Sequence, residues 1–284
     1  MHTVTLPPGQ QVPALGLGTW RMGEASGRRR TEVAALRLAI EMGYRLIDTA
    51  EMYGEGGAEE VVGQAIDEAL RAGDVAREQL FVVSKVYPHN ASRSGTMAAC
   101  ERSLRRLGLD QIDLYLLHWR GAHALSDSVA AFEALRAQGR IGHWGVSNFD
   151  AADMQELAAV AGGAHCASNQ VYYSLSQRGA EFSLLPGLRR CGMPMMAYSP
   201  IDQGALAGHR VLKELGRRHQ ASAGQMALAW VLAQAGVIAI PKAVREAHLR
   251  DNLAAAELKL GQEDLAALDR EFAPPRRKAP LAML

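Results

Sequence analysis

The chain carries 284 residues with 48% hydrophobic content and a formal net charge of +1, enough length to bury the core of one α/β barrel of about 250 residues. A charge so near zero excludes an electrostatic case for nucleic acid or an anionic membrane as the main partner. Three scattered cysteines, Cys100, Cys166 and Cys191, form no CxxC pair, so no disulfide framework is expected and the compartment reads as reducing and cytoplasmic.

The opening MHTVTLPPGQ has neither a basic nor an apolar leader segment, so no signal peptide is expected. No apolar run nears the roughly 18 residues of a membrane span. "VTLPPGQQVP" predicts a hairpin with a Pro-Gly turn, placed to plug the bottom of a barrel. Strands are then predicted at residues 14–19, 46–50, 80–86, 112–119, 141–148, 166–172, 195–200 and 237–242. "LFVV" and "IDLYLL" are near-continuous apolar runs, as parallel strands covered on both faces require. Between them, stretches such as "RTEVAALRLAIEMG" and "GTMAACERSLRRLG" show helical spacing and a glycine stop. Two more helices are predicted near 246–256 and 262–272; "APPRRKAP" reads as a solvated tail, and the segment after Phe272 is long enough to close only part of the barrel mouth. Eight alternations without a linker predict a closed (β/α)8 TIM barrel, one domain over residues 1–284, with an N-terminal β-hairpin and additional C-terminal helices. A doubly wound sheet is the alternative, but "GLGTW" after the first strand is no GxGxxG.

In a barrel the site lies at the C-terminal strand ends. Those positions hold Asp48, Lys85, His118, Ser147, Asn148, Gln170, Tyr198 and Lys242, with Tyr53 just beyond Asp48. Each has a plainer role: Asp48 as a helix cap, Lys85 as a strand-end lysine reaching solvent, His118 as a satisfied histidine. Together they suggest proton chemistry. An ammonium at Lys85, held by Asp48, favours the phenolate of Tyr53 and lowers a pKa that is ordinarily about 10. Tyr53 then serves as general acid toward an oxygen becoming an alkoxide, and His118 orients that oxygen. None of these groups supplies a reducing equivalent, so a hydride must come from a cofactor. A Schiff-base lyase using Lys85 is a further reading, opposed by the acid that keeps the lysine charged. No HExxH occurs among the nine histidines, and no metal is expected.

"GLGTW", "DTAEMYGEGGAEEVVGQAI", "VVSKVYP", "IDLYLLHW", "IGHWGVSNF", "ASNQVYYS", "MAYSP" and "IPKAVREAHLRDN" resemble the aldo-keto reductase superfamily in order and along almost the whole chain. The form of the second motif is similar to that of bacterial enzymes reducing methylglyoxal and related small carbonyls. The resemblance implies a catalytic tetrad of Asp48, Tyr53, Lys85 and His118, reducing aldehydes and ketones to alcohols with NADPH. It implies that Ser147, Asn148 and Gln170 bind the nicotinamide carboxamide and that Tyr198 stacks on the ring. Gly18, Thr19 and Trp20 would line the cofactor and substrate path, with Asp48 beside them. Ser199, Pro200 and Ile201 would hold the pyrophosphate side, and Ile240, Pro241, Lys242 and Ala243 the adenosine side, continued by His248, Asp251 and Asn252. Trp20, Tyr53, Tyr87, His118 and Trp119 would shape the substrate pocket. The chain departs from the pattern at Ala243, where serine is usual, and at His248, where an arginine is usual, with Arg245 and Arg250 near enough to substitute. NADPH preference with NADH also usable is therefore expected. Many relatives carry tryptophan at the Tyr87 position. Arg120 reads as a solvated loop residue. A small-molecule carbonyl is the expected partner and a monomer the expected state. The alternative within the same fold is a non-catalytic NADPH-binding sensor or regulatory subunit.

Overall fold

Residues 2–284 are described by a computed structural model. β1 (Thr3–Leu6) and β2 (Gln10–Pro13) form the antiparallel hairpin, with Leu6 opposite Gln10 across the Pro7–Gly9 turn. Alternation along these strands buries Leu6 and Val12 completely and leaves Thr3, Thr5 and Gln11 exposed. The side chain of Gln10 meets His143, near the start of a barrel strand, at 2.6 Å. The hairpin therefore closes the N-terminal end of the barrel, as expected.

The eight predicted strands are all present and all parallel. They are β3 (Leu17–Gly18), β4 (Leu46–Asp48), β5 (Phe81–Val86), β6 (Ile112–Leu117), β7 (Ile141–Ser147), β8 (Asn169–Tyr172), β9 (Met195–Tyr198) and β10 (Val237–Ala239), paired in sequence order. The ring closes where first and last strands meet, through parallel bridges Leu15–Ala239 and Gly18–Lys242. Gly16 N donates to Ala239 O at 2.9 Å and Gly18 N to Pro241 O at 3.1 Å. This seam needs glycine: a Cβ on Gly18 would stand 2.8 Å from Ile240 O. β10 is shorter than predicted because Pro241 has no N–H to continue a ladder.

The outer ring comprises α1 (Arg29–Glu41), α2 (Gly57–Ala72), α3 (Arg93–Leu107), α4 (Leu125–Ala137), α5 (Ala151–Ala159) and α6 (Leu184–Arg190). Beyond β9 lie α7 (Arg210–His219) and α8 (Ala223–Leu232), then α9 (Glu246–Ala255) and α10 (Gln262–Glu271) after β10. Helix α2 shows how the ring is held: Val61, Val62, Ala65, Ile66 and Ala69 face inward at helical spacing. It stops at Gly73, whose φ of 77° is the left-handed C-terminal cap. Helix α8 is buried on nearly every side because α7 lies outside it and α9 beside it. Of the two helices predicted after the last strand, α9 completes the ring, while α10 packs on α7. Among the described residues no helix is long and apolar enough to cross a membrane.

Candidate active site

Asp48 ends β4, and Lys85 and His118 stand at or just past the ends of β5 and β6. Alternation along β5 turns Ser84 outward, where its hydroxyl donates to Glu59 of α2 at 2.6 Å, and turns Lys85 inward. Lys85 is fully buried. Its Nζ donates to Asp48 Oδ2 at 2.7 Å, to Thr49 O at 2.8 Å and to the Tyr53 hydroxyl at 3.3 Å. An ammonium has three hydrogens and no lone pair, so these partners fit its charged form. They also make the Tyr53 oxygen an acceptor toward the lysine, which leaves the phenol proton free to point elsewhere. Tyr53 can sit there because the chain turns sharply after it: Gly54 and Gly56 have φ of 58° and 92°. The second oxygen of Asp48 accepts from Gln170 Nε2 at 2.7 Å. The ring of His118 stands edge-on to Tyr53, centroids 5.7 Å apart, and its Nδ1 is buried with no hydrogen-bond partner.

Burial draws the Lys85 pKa below the usual lysine value, and the Asp48 carboxylate opposes that shift. Burial and the nearby ammonium of Lys85 hold His118 well below the ordinary histidine value, so it is neutral at pH 7. Tyr53 departs from expectation. Burial, joined by the charge of Asp48, pushes its phenol well above the usual value. An adjacent ammonium favours the phenolate, but here the loss of solvent outweighs it.

A cavity of about 450 Å3 opens over these groups. Asp48, Tyr53, His118 and Trp119 line one side of it, with Gly18 and Trp20 at its edge. Ser147, Asn148, Gln170 and Tyr198 line a second side, and Ser199, Pro200 and Ile201 continue from there. Ile240, Pro241, Lys242 and His248 form the far end. The polar groups are already linked to one another. Tyr198 donates to Asn148 Oδ1 at 2.9 Å, Asn148 Nδ2 donates to His118 O at 3.2 Å, and Ser147 Oγ donates to Gln170 O at 2.9 Å. Asn148 reaches this position with φ of 60°, a left-handed conformation that asparagine tolerates.

Other predicted site residues lie outside the cavity wall. Thr19 is fully buried and donates its hydroxyl to Asp48 O at 2.9 Å, bracing the strand end. Tyr87 packs its ring against Trp119 at 5.5 Å and His89 at 4.4 Å. Ala243 is buried, and Asp251 is exposed on α9. Asn252 is buried beside Tyr44, to which it is hydrogen-bonded. Of the arginines near Lys242, Arg250 donates to Glu246 at 2.7 and 2.9 Å, whereas Arg245 lies 2.5 Å from His248. Arg120 is tied to Glu156 at 2.9 Å.

Several residues in or behind the wall carry no signal in the sequence pattern. Arg21 lies over the Trp20 ring at 4.5 Å and, with Met52, Gln203 and Gly204, joins the lining. Glu51 accepts from Tyr87 N at 2.7 Å, Asn90 Nδ2 at 3.0 Å and Arg102 at 3.2 Å, binding the β4–α2 loop to the β5–α3 loop. In the tail, the stretch 273–280 is exposed apart from half-buried Pro275, as expected of a solvated segment. Arg178 donates to Phe272 O at 2.5 Å, Lys278 pairs with Asp150 at 3.1 Å, and Leu281 packs on the core. Met283 and Leu284 then line the cavity. The charged stretch is solvated, and the apolar residues after it cover part of the barrel mouth.

Comparison with known proteins agrees with this architecture. The sequence model described as the Aldo/keto reductase family matches residues 14–271. Methylglyoxal reductase YeaE of Escherichia coli (strain K12) is 51% identical over 278 residues, covering 96% of this chain and 95% of that protein. Glyoxal reductase of Bacillus subtilis (strain 168) is 38% identical over 94% of this chain and 91% of its own. A crystal structure of an aldo-keto reductase from Klebsiella pneumoniae in complex with NADPH superposes with a TM-score of 0.94 at 47% identity, covering 100% of this chain and 99% of that one. With the matched region spanning the whole barrel and half the residues shared with a relative of the same length, this chain belongs to the aldo/keto reductase family.

Proposed function

We propose that the protein is an NADPH-dependent reductase of aldehydes and ketones, with methylglyoxal and related small carbonyls as its substrate class. One observation carries the reading: a fully buried lysine donates at once to Asp48 and to the hydroxyl of Tyr53 at the edge of the cavity. The cavity suits an elongated, anionic dinucleotide. It offers the aromatic face of Tyr198, amides at Asn148 and Gln170, and cations at Lys242 and Arg21. When bound, the reduced nicotinamide supplies the hydride for the carbonyl carbon. Tyr53 keeps its proton until the carbonyl oxygen gains charge, then donates it as general acid. Lys85 stabilises the phenolate left behind through the contact it already makes, and Asp48 keeps Lys85 charged. Neutral His118 orients the carbonyl oxygen by hydrogen bond. Burial makes Tyr53 a reluctant acid, and the Lys85 contact offsets part of that cost by stabilising the phenolate once the proton is given up. The protein is taken as one barrel domain acting as a monomer in the cytoplasm, where its three free cysteines stay reduced.

A steady-state screen of NADPH and NADH against methylglyoxal, aromatic aldehydes, sugars and keto acids tests the reading. Turnover of methylglyoxal with NADPH is expected. Tight NADPH binding with no turnover across the panel would mark a cofactor-sensing module instead, and absence of both would sink the assignment.

A further inference from the structure

The loop after β9 is built on an unusual backbone. Ser199, Asp202, Gln203 and Gly204 have φ of 47°, 49°, 53° and 90°. Three of these are not glycine, and such conformations persist only where surrounding contacts over-determine them. The contacts converge on Asp202, whose side chain is nearly inaccessible, with the residue 8% exposed. Its Oδ1 accepts from the Tyr172 hydroxyl at 2.8 Å and the Ser174 hydroxyl at 2.7 Å, and its Oδ2 accepts from the Ser176 hydroxyl. No cation is paired with it among the described residues. A buried carboxylate is costly unless its lone pairs are filled, and here three hydroxyls, one at the end of β8 and two from the β8–α6 connection, fill them. Burial and Asp202 both raise the Tyr172 pKa, so Tyr172 remains a donor.

The consequences run in two directions from this carboxylate. Along the backbone, Ser199, Pro200, Ile201, Gln203 and Gly204, the neighbours of Asp202, all line the cavity. Through Tyr172, the carboxylate fixes a ring that stacks on Tyr198, centroids 5.5 Å apart and planes 25° from parallel. Tyr198 is the aromatic face offered to the nicotinamide in the proposed function. One side chain thus sets both the loop and the backing of the stacking ring.

We infer that Asp202, acting through Tyr172, Ser174 and Ser176, is a positioning residue for the cofactor: it holds the 199–204 loop and the Tyr172–Tyr198 stack in the form that receives a dinucleotide. The inference rests on the NADPH reading above. It assigns Asp202 no contact with the carbonyl substrate, so its effect falls on cofactor affinity rather than on the proton-transfer step.

The test is fluorescence titration with NADPH, run beside steady-state kinetics and thermal unfolding, on Asp202→Ala, Asp202→Asn, Tyr172→Phe and Ser176→Ala. Asp202→Ala is expected to weaken NADPH binding about ten-fold or more. The KM for carbonyl and kcat at saturating cofactor should change far less. Asp202→Asn, which keeps one acceptor oxygen, should recover part of the affinity. Tyr172→Phe keeps the stacked ring, loses one hydroxyl, and should show a smaller loss. Wild-type affinity in Asp202→Ala would overturn the inference. So would a parallel fall in affinity, kcat and melting temperature, the mark of a merely structural residue. If Asp202→Ala does not fold, Tyr172→Phe and Ser176→Ala decide, and wild-type affinity in both overturns it. Failure of the wild-type protein to bind NADPH would instead remove the functional reading, and this inference with it.

Discussion

Lys85 Nζ lies 2.7 Å from Asp48 Oδ2, and both side chains are almost wholly buried. In this setting the pair is a single unit. Each charge is tolerable only because the other is present, and removing one leaves the other buried alone.

Lys85→Met should therefore destabilise the protein by about 3–5 kcal/mol, the cost of stranding a buried carboxylate. Asp48→Asn combined with Lys85→Met should recover a substantial part of that loss, because neither charge remains. Urea denaturation of the two single variants and the double variant measures the coupling. Strict additivity would mean that the pair does not act as a unit.

Tyr53→Phe should lower kcat/KM for methylglyoxal by roughly 10²–10⁴-fold, the usual range for a general acid. NADPH affinity should stay within about two-fold, since the hydroxyl is assigned to the carbonyl oxygen. Stopped-flow hydride transfer and fluorescence titration separate the two effects. Full turnover without the hydroxyl would require another proton source.

His118 is held neutral by burial and by Lys85, below the ordinary histidine value of 6.5. Below that value the unfolded chain takes up a proton at this residue and the folded chain does not. Its contribution to stability is thus complete above about pH 6.5 and is lost as pH falls from there toward the depressed folded value. Comparing wild type with His118→Phe at pH 7.5 and 5.5 should show a smaller acid loss in the variant. Equal losses would place the acid sensitivity elsewhere.

Cofactor discrimination should separate Lys242, which lines the cavity, from the arginines near it in sequence. Lys242→Ala or Arg245→Ala should reduce the preference for NADPH over NADH, by about ten-fold for a lost charge-assisted contact to phosphate. Arg250→Ala should leave the ratio unchanged, because Glu246 already engages that guanidinium. The ratio of kcat/KM for the two cofactors is the measurement, and a large effect at Arg250 would contradict this division.

Much of this site was legible in the sequence because strand periodicity and strand ends are local properties. Asp48, Lys85 and His118 each follow an apolar run that had to be a barrel strand, so their convergence followed from topology alone. Glu51 and Asp202 gave no such cue. Glu51 finds Arg102 51 residues away, and Asp202 finds hydroxyls on a different connection; side-chain partners of this kind exist only after packing. The shift of Tyr53 was misjudged for a related reason. A sequence indicates which charges are neighbours, but not how far water has been withdrawn from them.

The seam between the first and last strands has a mechanical implication. It is held by two separate bridges, Leu15–Ala239 and Gly18–Lys242, in place of a continuous ladder such as those joining β5, β6 and β7. Lys242 belongs to that joint and also to the cation-rich end of the cavity. A dinucleotide lying across the mouth would then act as a hoop around a barrel whose ring is closed at that point by separate bridges. Amide exchange at Gly16, Gly18 and Ala239 should slow when the cofactor is bound, linking resistance to unfolding directly to the state of the nicotinamide pool.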